Sequence, residues 1–231
     1  TLFAIKIKGL IVNHWDHCEQ AALTLSMLKG RDERSLFAVL LHHWVVSKDP
    51  HGIQKAVTLF EQSPLFGIKL ACIQSILQQD GALSNQLFDQ LMETSKHPNI
   101  VNQWFTSCGK SSLGDRIAAV TWCINSQHFS WKNPNNVYAL LGSLARNVYA
   151  LVSEQGLLDQ LLAWIHHVDQ INGQVASRVL QPLVGYQAWD DASIIIFNQS
   201  FKRFSLLCNH SKDVSEVLDR LNAATSLKGN V

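Results

Sequence analysis

Charged residues are scarce in this sequence, at 16% of its 231 positions, against about a quarter in a typical soluble domain. The 19 basic and 18 acidic residues nearly cancel and leave a net charge of +1. A phosphate-binding surface needs a basic excess on one face, so this balance argues against a nucleic-acid partner. No apolar run approaches the roughly 18 residues of a membrane-spanning helix, so we expect no membrane partner either.

Cysteine is sparse too, with five scattered residues and no C-x-x-C pair. An odd, scattered set is typical of buried free thiols in a reducing compartment, not of a disulfide framework. The N-terminus lacks a basic start, and Lys6 and Lys8 interrupt its apolar segment, so no signal peptide is predicted. We therefore expect a cytoplasmic protein. Because the sequence begins without Met, we also expect it to be a piece of a longer polypeptide.

Motifs that carry chemistry are missing as well. The sequence has no H-E-x-x-H zinc motif, no G-x-S-x-G nucleophile turn and no dinucleotide fingerprint. The nearest metal-like cluster, His14, His17 and Cys18, lacks a second group of ligands. His166 and His167 are adjacent and would diverge on a helix, so we expect one to be half-buried and the other exposed. The chain alone is predicted to be no catalyst and to hold no metal or cofactor.

What the sequence does contain is helical periodicity. Apolar residues recur at spacings of three and four along almost the whole chain, which is the period of an α-helix. Turn residues divide the chain into about a dozen helices, and short turns between helices make antiparallel hairpins. The predicted fold is all-α: an irregular solenoid of stacked hairpins, like ARM and HEAT repeats, in a single domain over residues 1–231.

Two segments are ambiguous in this pattern. Residues 1–13 could also form a strand, whereas residues 194–197 lie in a helical run and are predicted to be helix. Three polar residues stand before prolines, in the form of an N-cap followed by proline at the first helical position. They are Asp49–Pro50, Ser63–Pro64 and Asn133–Pro134.

The stretch 133–183 combines two such helix starts with a polar face. Asn172 is the natural N-cap of the second helix, on which Gln174 and Arg178 are four residues apart and so point the same way. The opposite side carries a predicted core stripe. It consists of Val175, Val179, Leu180 and Leu183. Such a helix lines a groove or cavity, or simply presents a solvated face.

The same stretch resembles a known family. An N-P-N start with an apolar helix is followed about forty residues later by Q-V-A-S-R, with P-L shortly behind. This order is similar to that of the C-terminal helical domain of aminopeptidase N, the zinc-dependent aminopeptidases of bacteria. Trp104–Phe105 before the stretch, residues 126–133 at its start, and Ser211–Val214 after it extend the resemblance.

The resemblance implies a function for the longer polypeptide. The parent enzyme would release N-terminal amino acids from peptides, using zinc held by an H-E-x-x-H motif in a catalytic domain outside this chain. The present domain would pack on that catalytic domain, cap the active-site cavity and shape the access of peptide substrates.

The resemblance also implies site residues. Gln174 and Arg178 match positions that face the cavity, where arginine could bind a peptide carboxylate and glutamine the peptide backbone. Tyr138 stands where the family often has a basic residue, and Gly173 where it tends to have proline. The alternative to this interpretation is a stand-alone helical-repeat scaffold that binds a protein partner through a concave face. An isolated peptidase is the weakest option, because the zinc ligands are missing.

Overall fold

The computed structural model describes residues 41–42, 45, 51–94, 98–111 and 116–228. These residues form eleven α-helices and one 3-10 helix, with no β-strand among them. The predicted all-α fold of about a dozen helices is confirmed. Residues 1–13, the cluster of His14, His17 and Cys18, and the pair Asp49–Pro50 lie outside the described residues. None of the described helices is long and apolar enough to cross a bilayer.

The chain groups into two compact units, Thr1–Ile100 and Val101–Val231. The described helices of the first unit are α1 (Gly52–Gln62), α2 (Phe66–Ile76) and α3 (Gly81–Thr94). The helix α4 (Pro98–Lys110) spans the boundary and lies mainly in the second unit. The second unit continues with α5 (Arg116–Asn125), α6 (Pro134–Ala145), α7 (Val148–Ser153), α8 (Leu157–Asp169), α9 (Gly173–Leu180), the 3-10 helix (Gln181–Ala188), α10 (Asp191–Ser205) and α11 (Lys212–Lys228). A single domain over residues 1–231 stays a prediction.

In the first unit, α2 is the central helix. It packs on both α1 and α3. Apolar residues occur nearly all round α2, which is typical of a helix covered on most sides. Its buried side chains include Ile68, Leu70, Ala71, Cys72, Ile73 and Ile76. Phe60 of α1 and Phe88 of α3 are also fully buried in this unit.

The start of α2 differs from the prediction. Leu65, in extended conformation, is the N-cap, and the helix begins at Phe66. The hydroxyl of Ser63 accepts a hydrogen bond from the Leu65 N–H at 3.2 Å, so it closes a tight turn before the helix instead of capping it. Pro64 therefore precedes the helix, and the predicted Ser63–Pro64 start is wrong by two residues.

In the second unit, the short helix α9 occupies the middle. It packs against α6, α8, α11 and the 3-10 helix, while α8 also packs against α6 and α10. Contacts that reach past the next helix in sequence are those of stacked hairpins, which confirms the predicted solenoid. The apolar stripes of α6, α8 and α11 are buried, and residues 194–197 are helical within α10, as predicted.

A buried ion pair joins two elements of this unit. The Glu154 carboxylate, just after α7, accepts from the Arg116 guanidinium at 2.9 Å and from the Arg116 and Ile117 backbone N–H groups at 2.9 and 3.3 Å. The Arg116 Nε donates to the Ser111 carbonyl at 2.7 Å. Both side chains are largely buried. The carboxylate thus satisfies the first N–H groups of α5, where the helix dipole favours a negative charge.

Candidate functional site

The candidate site begins with the first turn of α9. Asn172 is extended, and its side chain accepts a hydrogen bond from the Val175 N–H at 3.1 Å, so the predicted N-cap is confirmed. Gly173 follows as the first helical residue. A Cβ at this position would overlap the Ser211 side chain, with the Ser211 Cβ only 2.6 Å away, and would lie 3.3 Å from the Asp169 Oδ1. The start of α11 therefore lies against α9 at a distance that only glycine allows.

Gln174 and Arg178 lie on the outer face of α9. Both are exposed, whereas Val175 and Val179 on the opposite face are buried. Among the residues that the structure describes, neither side chain has a hydrogen-bond or ion-pair partner. The predicted division of α9 into a polar face and a core stripe is confirmed. Both polar groups are available to a molecule approaching from solvent.

The helix α6 is held in place by its first residues. Asn133 caps it by accepting from the Asn135 N–H at 3.1 Å, and Pro134 is the first helical residue, as predicted. Asn136 is buried, and both of its amide heteroatoms are hydrogen-bonded: its Nδ2 donates to the Asn102 Oδ1 at 2.9 Å, and its Oδ1 accepts from the Ser130 N–H at 3.1 Å. These bonds fix α6 against α4 and against the segment that leads into it.

Tyr138 lies half-buried one residue after the core residue Val137. Gly142, one turn later, leaves room beside it, since a Cβ there would be 3.9 Å from the Tyr138 Cβ. Arg146, a further turn along the same face, donates from Nη1 to the Gly142 carbonyl at 2.7 Å. Although α6 packs against α9, no hydrogen bond between described residues joins Tyr138 to Gln174 or Arg178. The three predicted residues thus lie on two contacting helices, without direct polar contact.

A second polar cluster was not predicted from the sequence. His166 and Asp169 lie in the last turn of α8, and His210 lies in the segment between α10 and α11. One potential ligand atom from each lies within 4.8 Å of the other two. Asp169 is buried, and 7% of the His210 side chain is exposed. His166 is half-buried and His167 exposed, as predicted for the adjacent pair.

Only some of the polar side-chain atoms in this cluster have hydrogen-bond partners among the described residues. The Asp169 Oδ2 accepts from the Ser211 N–H at 3.0 Å and lies 3.4 Å from the His210 Nδ1. The His210 Nε2 lies 3.1 Å from the Phe204 carbonyl oxygen. The His166 Nδ1 and the Asp169 Oδ1 are buried without a hydrogen-bond partner among the described residues. Such atoms are uncommon, because burial without a partner is costly.

The sequence indicates only that His166 and Asp169 lie close together, and it does not indicate that His210 joins them. His166 and Asp169 are three residues apart, a spacing that places two side chains on one helical face. His210 follows Asp169 by 41 residues, and only the packing of the segment before α11 brings it near.

Matches to known proteins include one family model, one related protein and one solved structure. A family model described as a domain of unknown function (DUF3458_C) with ARM repeats matches residues 3–223. Aminopeptidase N of Haemophilus influenzae (strain ATCC 51907 / DSM 11121 / KW20 / Rd) is 24% identical over 127 residues, which is 52% of this chain and 14% of that protein. The crystal structure of Legionella pneumophila aminopeptidase A in complex with aspartic acid superposes with a TM-score of 0.77 at 19% identity.

The structural match covers 95% of this chain and 28% of the Legionella chain. At 19% identity, this match shows that the two chains share a fold. This chain therefore spans only a small part of both relatives. Together the matches confirm the resemblance to the helical domain of the aminopeptidase N family that the motifs of residues 104–214 predicted.

Proposed function

This chain belongs to the family of ARM-repeat domains described as DUF3458_C, and from that premise we propose that it is the C-terminal helical domain of a zinc-dependent aminopeptidase. The family match over residues 3–223 carries the proposal, and the similarity to two aminopeptidases supports it. The parent enzyme releases N-terminal amino acids from peptides. Zinc would be held by an H-E-x-x-H motif in a catalytic domain outside this chain, and when bound it would supply the activation of water needed for attack on the first peptide bond.

The domain's own task is to cap the active-site cavity and to shape the access of peptides. Support comes from Gln174 and Arg178, which are exposed, have no partner among the described residues, and stand on a helix packed on several sides. A guanidinium can bind the C-terminal carboxylate of a short peptide through two parallel hydrogen bonds. Gln174 can donate to or accept from the peptide backbone. Tyr138 adds a ring and a hydroxyl from the neighbouring helix α6.

The catalytic domain of the same polypeptide is the proposed packing partner. Large apolar side chains remain exposed in the second unit, a feature that contact with another domain would explain. They include Tyr149, Ile171, Ile195, Ile196, Leu206 and Leu207. We place the enzyme in the bacterial cytoplasm, a reducing compartment that suits its buried, unpaired Cys72, Cys108 and Cys123.

The test uses the complete polypeptide that carries this chain. We expect Arg178→Ala to lower kcat/KM for a tetrapeptide about tenfold, since a lost hydrogen bond between charged groups costs about 1.5 kcal/mol or more. Hydrolysis of a single amino-acid p-nitroanilide, which has no C-terminal carboxylate for Arg178 to bind, should change less than about twofold. Amino-acid release from both substrates is measured by steady-state kinetics.

Arg220→Ala is the matched control, because Arg220 is an exposed arginine whose Nε donates only to the Glu216 carbonyl of its own helix, α11. It should leave both activities unchanged. Equal losses on tetrapeptide and p-nitroanilide in Arg178→Ala would contradict the cavity role. A purified polypeptide that releases no amino acid from any peptide would contradict the aminopeptidase assignment and favour the stand-alone scaffold.

A further inference from the structure

We propose that His166, Asp169 and His210 bind a divalent transition-metal cation, most suitably Zn²⁺, where the end of α8 meets the segment before α11. Two imidazoles and one carboxylate are a ligand set that Zn²⁺ takes in proteins. The site would be structural, holding residues 206–211 to α8. The inference does not depend on the proposed function, since it concerns only side chains of this chain.

The hydrogen-bond contacts of the His210 ring favour a cation at its Nδ1 atom. A carbonyl oxygen only accepts, so the His210 Nε2, at 3.1 Å from the Phe204 carbonyl, must carry the hydrogen. In the neutral ring, the Nδ1 then presents its lone pair to the Asp169 Oδ2, itself an acceptor. Metal-binding histidines commonly have this arrangement, with one ring nitrogen on the metal and the other donating to a backbone carbonyl.

The separation of the two atoms also fits a cation between them. The His210 Nδ1 and the Asp169 Oδ2 are 3.4 Å apart, which is longer than the usual N–H···O hydrogen bond of about 2.7–3.2 Å. Two ligands about 2.1 Å from a tetrahedral zinc ion lie about 3.4 Å from each other. The pair therefore already has the spacing of two zinc ligands.

His166 is the third ligand. Its Nδ1 is buried and has no hydrogen-bond partner among the described residues, and the same is true of the Asp169 Oδ1. The three ligand atoms lie within 4.8 Å of one another. A tetrahedral ion would draw the outermost ligand in by up to about 1.4 Å, which is within the reach of a side-chain rotation. Water would complete the coordination.

The surroundings already orient the carboxylate. The Ser211 N–H donates to the Asp169 Oδ2 at 3.0 Å and so orients the carboxylate. A separate hydrogen bond, from the Gln170 Nε2 to the Asn209 carbonyl at 3.1 Å, ties residue 209 to the end of α8. Hydrogen-bonded carboxylate ligands of this kind are typical of metal sites.

The experiment measures metal content, not activity, so its result is separate from that of the proposed function. The complete polypeptide is stripped with a chelator, reloaded with Zn²⁺, passed through a desalting column and analysed by plasma mass spectrometry. We expect His166→Gln and His210→Gln to hold one zinc ion per chain fewer than the wild type. His167→Gln and Cys208→Ser, an exposed histidine and an exposed thiol nearby, should retain the wild-type content.

His166→Gln is the decisive variant, because the buried nitrogen that it removes makes no hydrogen bond to a described residue and its loss should not unfold the protein. Saturating Zn²⁺ should raise the Tm of the stripped wild type by about 5–10 °C more than that of His166→Gln. Co²⁺ should give the wild type an additional visible absorption of a tetrahedral site, absent from the variant. Equal zinc content, Tm shifts and Co²⁺ spectra in the two proteins would overturn the proposal.

Discussion

At the scale of single residues, burial decides the chemistry of the cysteines. Cys72, Cys108 and Cys123 are buried free thiols, and Cys208 is exposed. Burial raises the pKa of Cys72 from its ordinary 9.0 to about 12, and nearby Lys69 offsets only part of this. Burial also raises the pKa of Cys108 well above its ordinary value, with a further contribution from Cys123. Because the thiolate is the reactive form, these groups should be inert near neutral pH.

This difference predicts selective labelling. In the native protein at pH 8, a thiol reagent such as iodoacetamide should modify Cys208 and leave Cys72 and Cys108 unmodified. Peptide mapping by mass spectrometry locates the modified sites. Denaturant should expose all the thiols to the reagent, which controls for its reactivity. Modification of Cys72 as fast as that of Cys208 in the folded protein would show that its burial is not maintained.

The candidate site was predictable where its residues are neighbours on one helix. A spacing of four residues placed Gln174 and Arg178 together and opposite Val175, and the structure has them there. The spacing of residues along a helix could not predict that His210 lies beside His166 and Asp169. Their proximity arises from packing between segments about forty residues apart in sequence, which no local periodicity encodes.

At the scale of elements, helix starts were predictable where a side chain caps its own helix. Asn133 and Asn172 accept hydrogen bonds two and three residues ahead, as their sequence contexts indicate. Ser63 also accepts from an N–H two residues ahead, but there the bond closes a turn and the chain stays extended at Leu65. A polar residue before proline therefore indicates a nearby helix start better than its exact position.

The contact between α4 and α6 depends on a glycine. A Cβ at Gly109 would lie 2.5 Å from the Leu140 carbonyl oxygen and 3.0 Å from the Leu144 nitrogen, both backbone atoms. Helix backbone atoms cannot move to relieve a steric overlap as the end of a flexible side chain can. Gly109, in the last turn of α4, thus allows the two helices to approach closely.

Gly109→Ala should therefore destabilise the protein. In an open helix, alanine in place of glycine adds up to about 1 kcal/mol of stability. Here the overpacking cost of about 1–3 kcal/mol should exceed that gain, for a net loss of about 1–2 kcal/mol. Urea denaturation monitored by circular dichroism gives the free energy of unfolding.

Gly142→Ala is the matched control, within the same unit and in the partner helix. A Cβ at Gly142 meets only the end of the Arg146 side chain at 3.4 Å and the Tyr138 Cβ at 3.9 Å. This variant should be neutral or more stable by up to about 1 kcal/mol. A Gly109→Ala protein as stable as Gly142→Ala would mean that α4 and α6 are not in close contact.

At the scale of the whole molecule, the fold class was predictable and the grouping of helices was not. Apolar residues spaced three and four apart identify a helix regardless of its place in the fold. Short turns indicate that helices consecutive in sequence pack against each other. Which helices pack beyond their neighbours, such as α9 with α6 and α11, depends on side-chain shapes that periodicity does not describe. For the same reason the two compact units were not apparent from the sequence.

The second unit has the features of an independently folding domain. Its helices supply their own core, to which α4 contributes the fully buried Trp104 and Phe105. Phe105 meets Phe129 edge-on at 5.5 Å, and Asn102 bonds to Asn136. A unit that begins with α4, at Pro98, has a size at which a single core usually suffices, about 50–200 residues.

We therefore expect a fragment of residues 98–231 to fold alone. Its circular dichroism should be strongly helical, and its thermal unfolding should be one cooperative transition, because the described contacts of α6 with α8 and α9 all lie inside it. A fragment of residues 116–231 lacks α4, and so lacks Trp104 and Phe105; it should melt at least about 10 °C lower or lose cooperativity. Non-cooperative melting of the longer fragment would mean that the second unit needs the first, and would favour a single domain over residues 1–231.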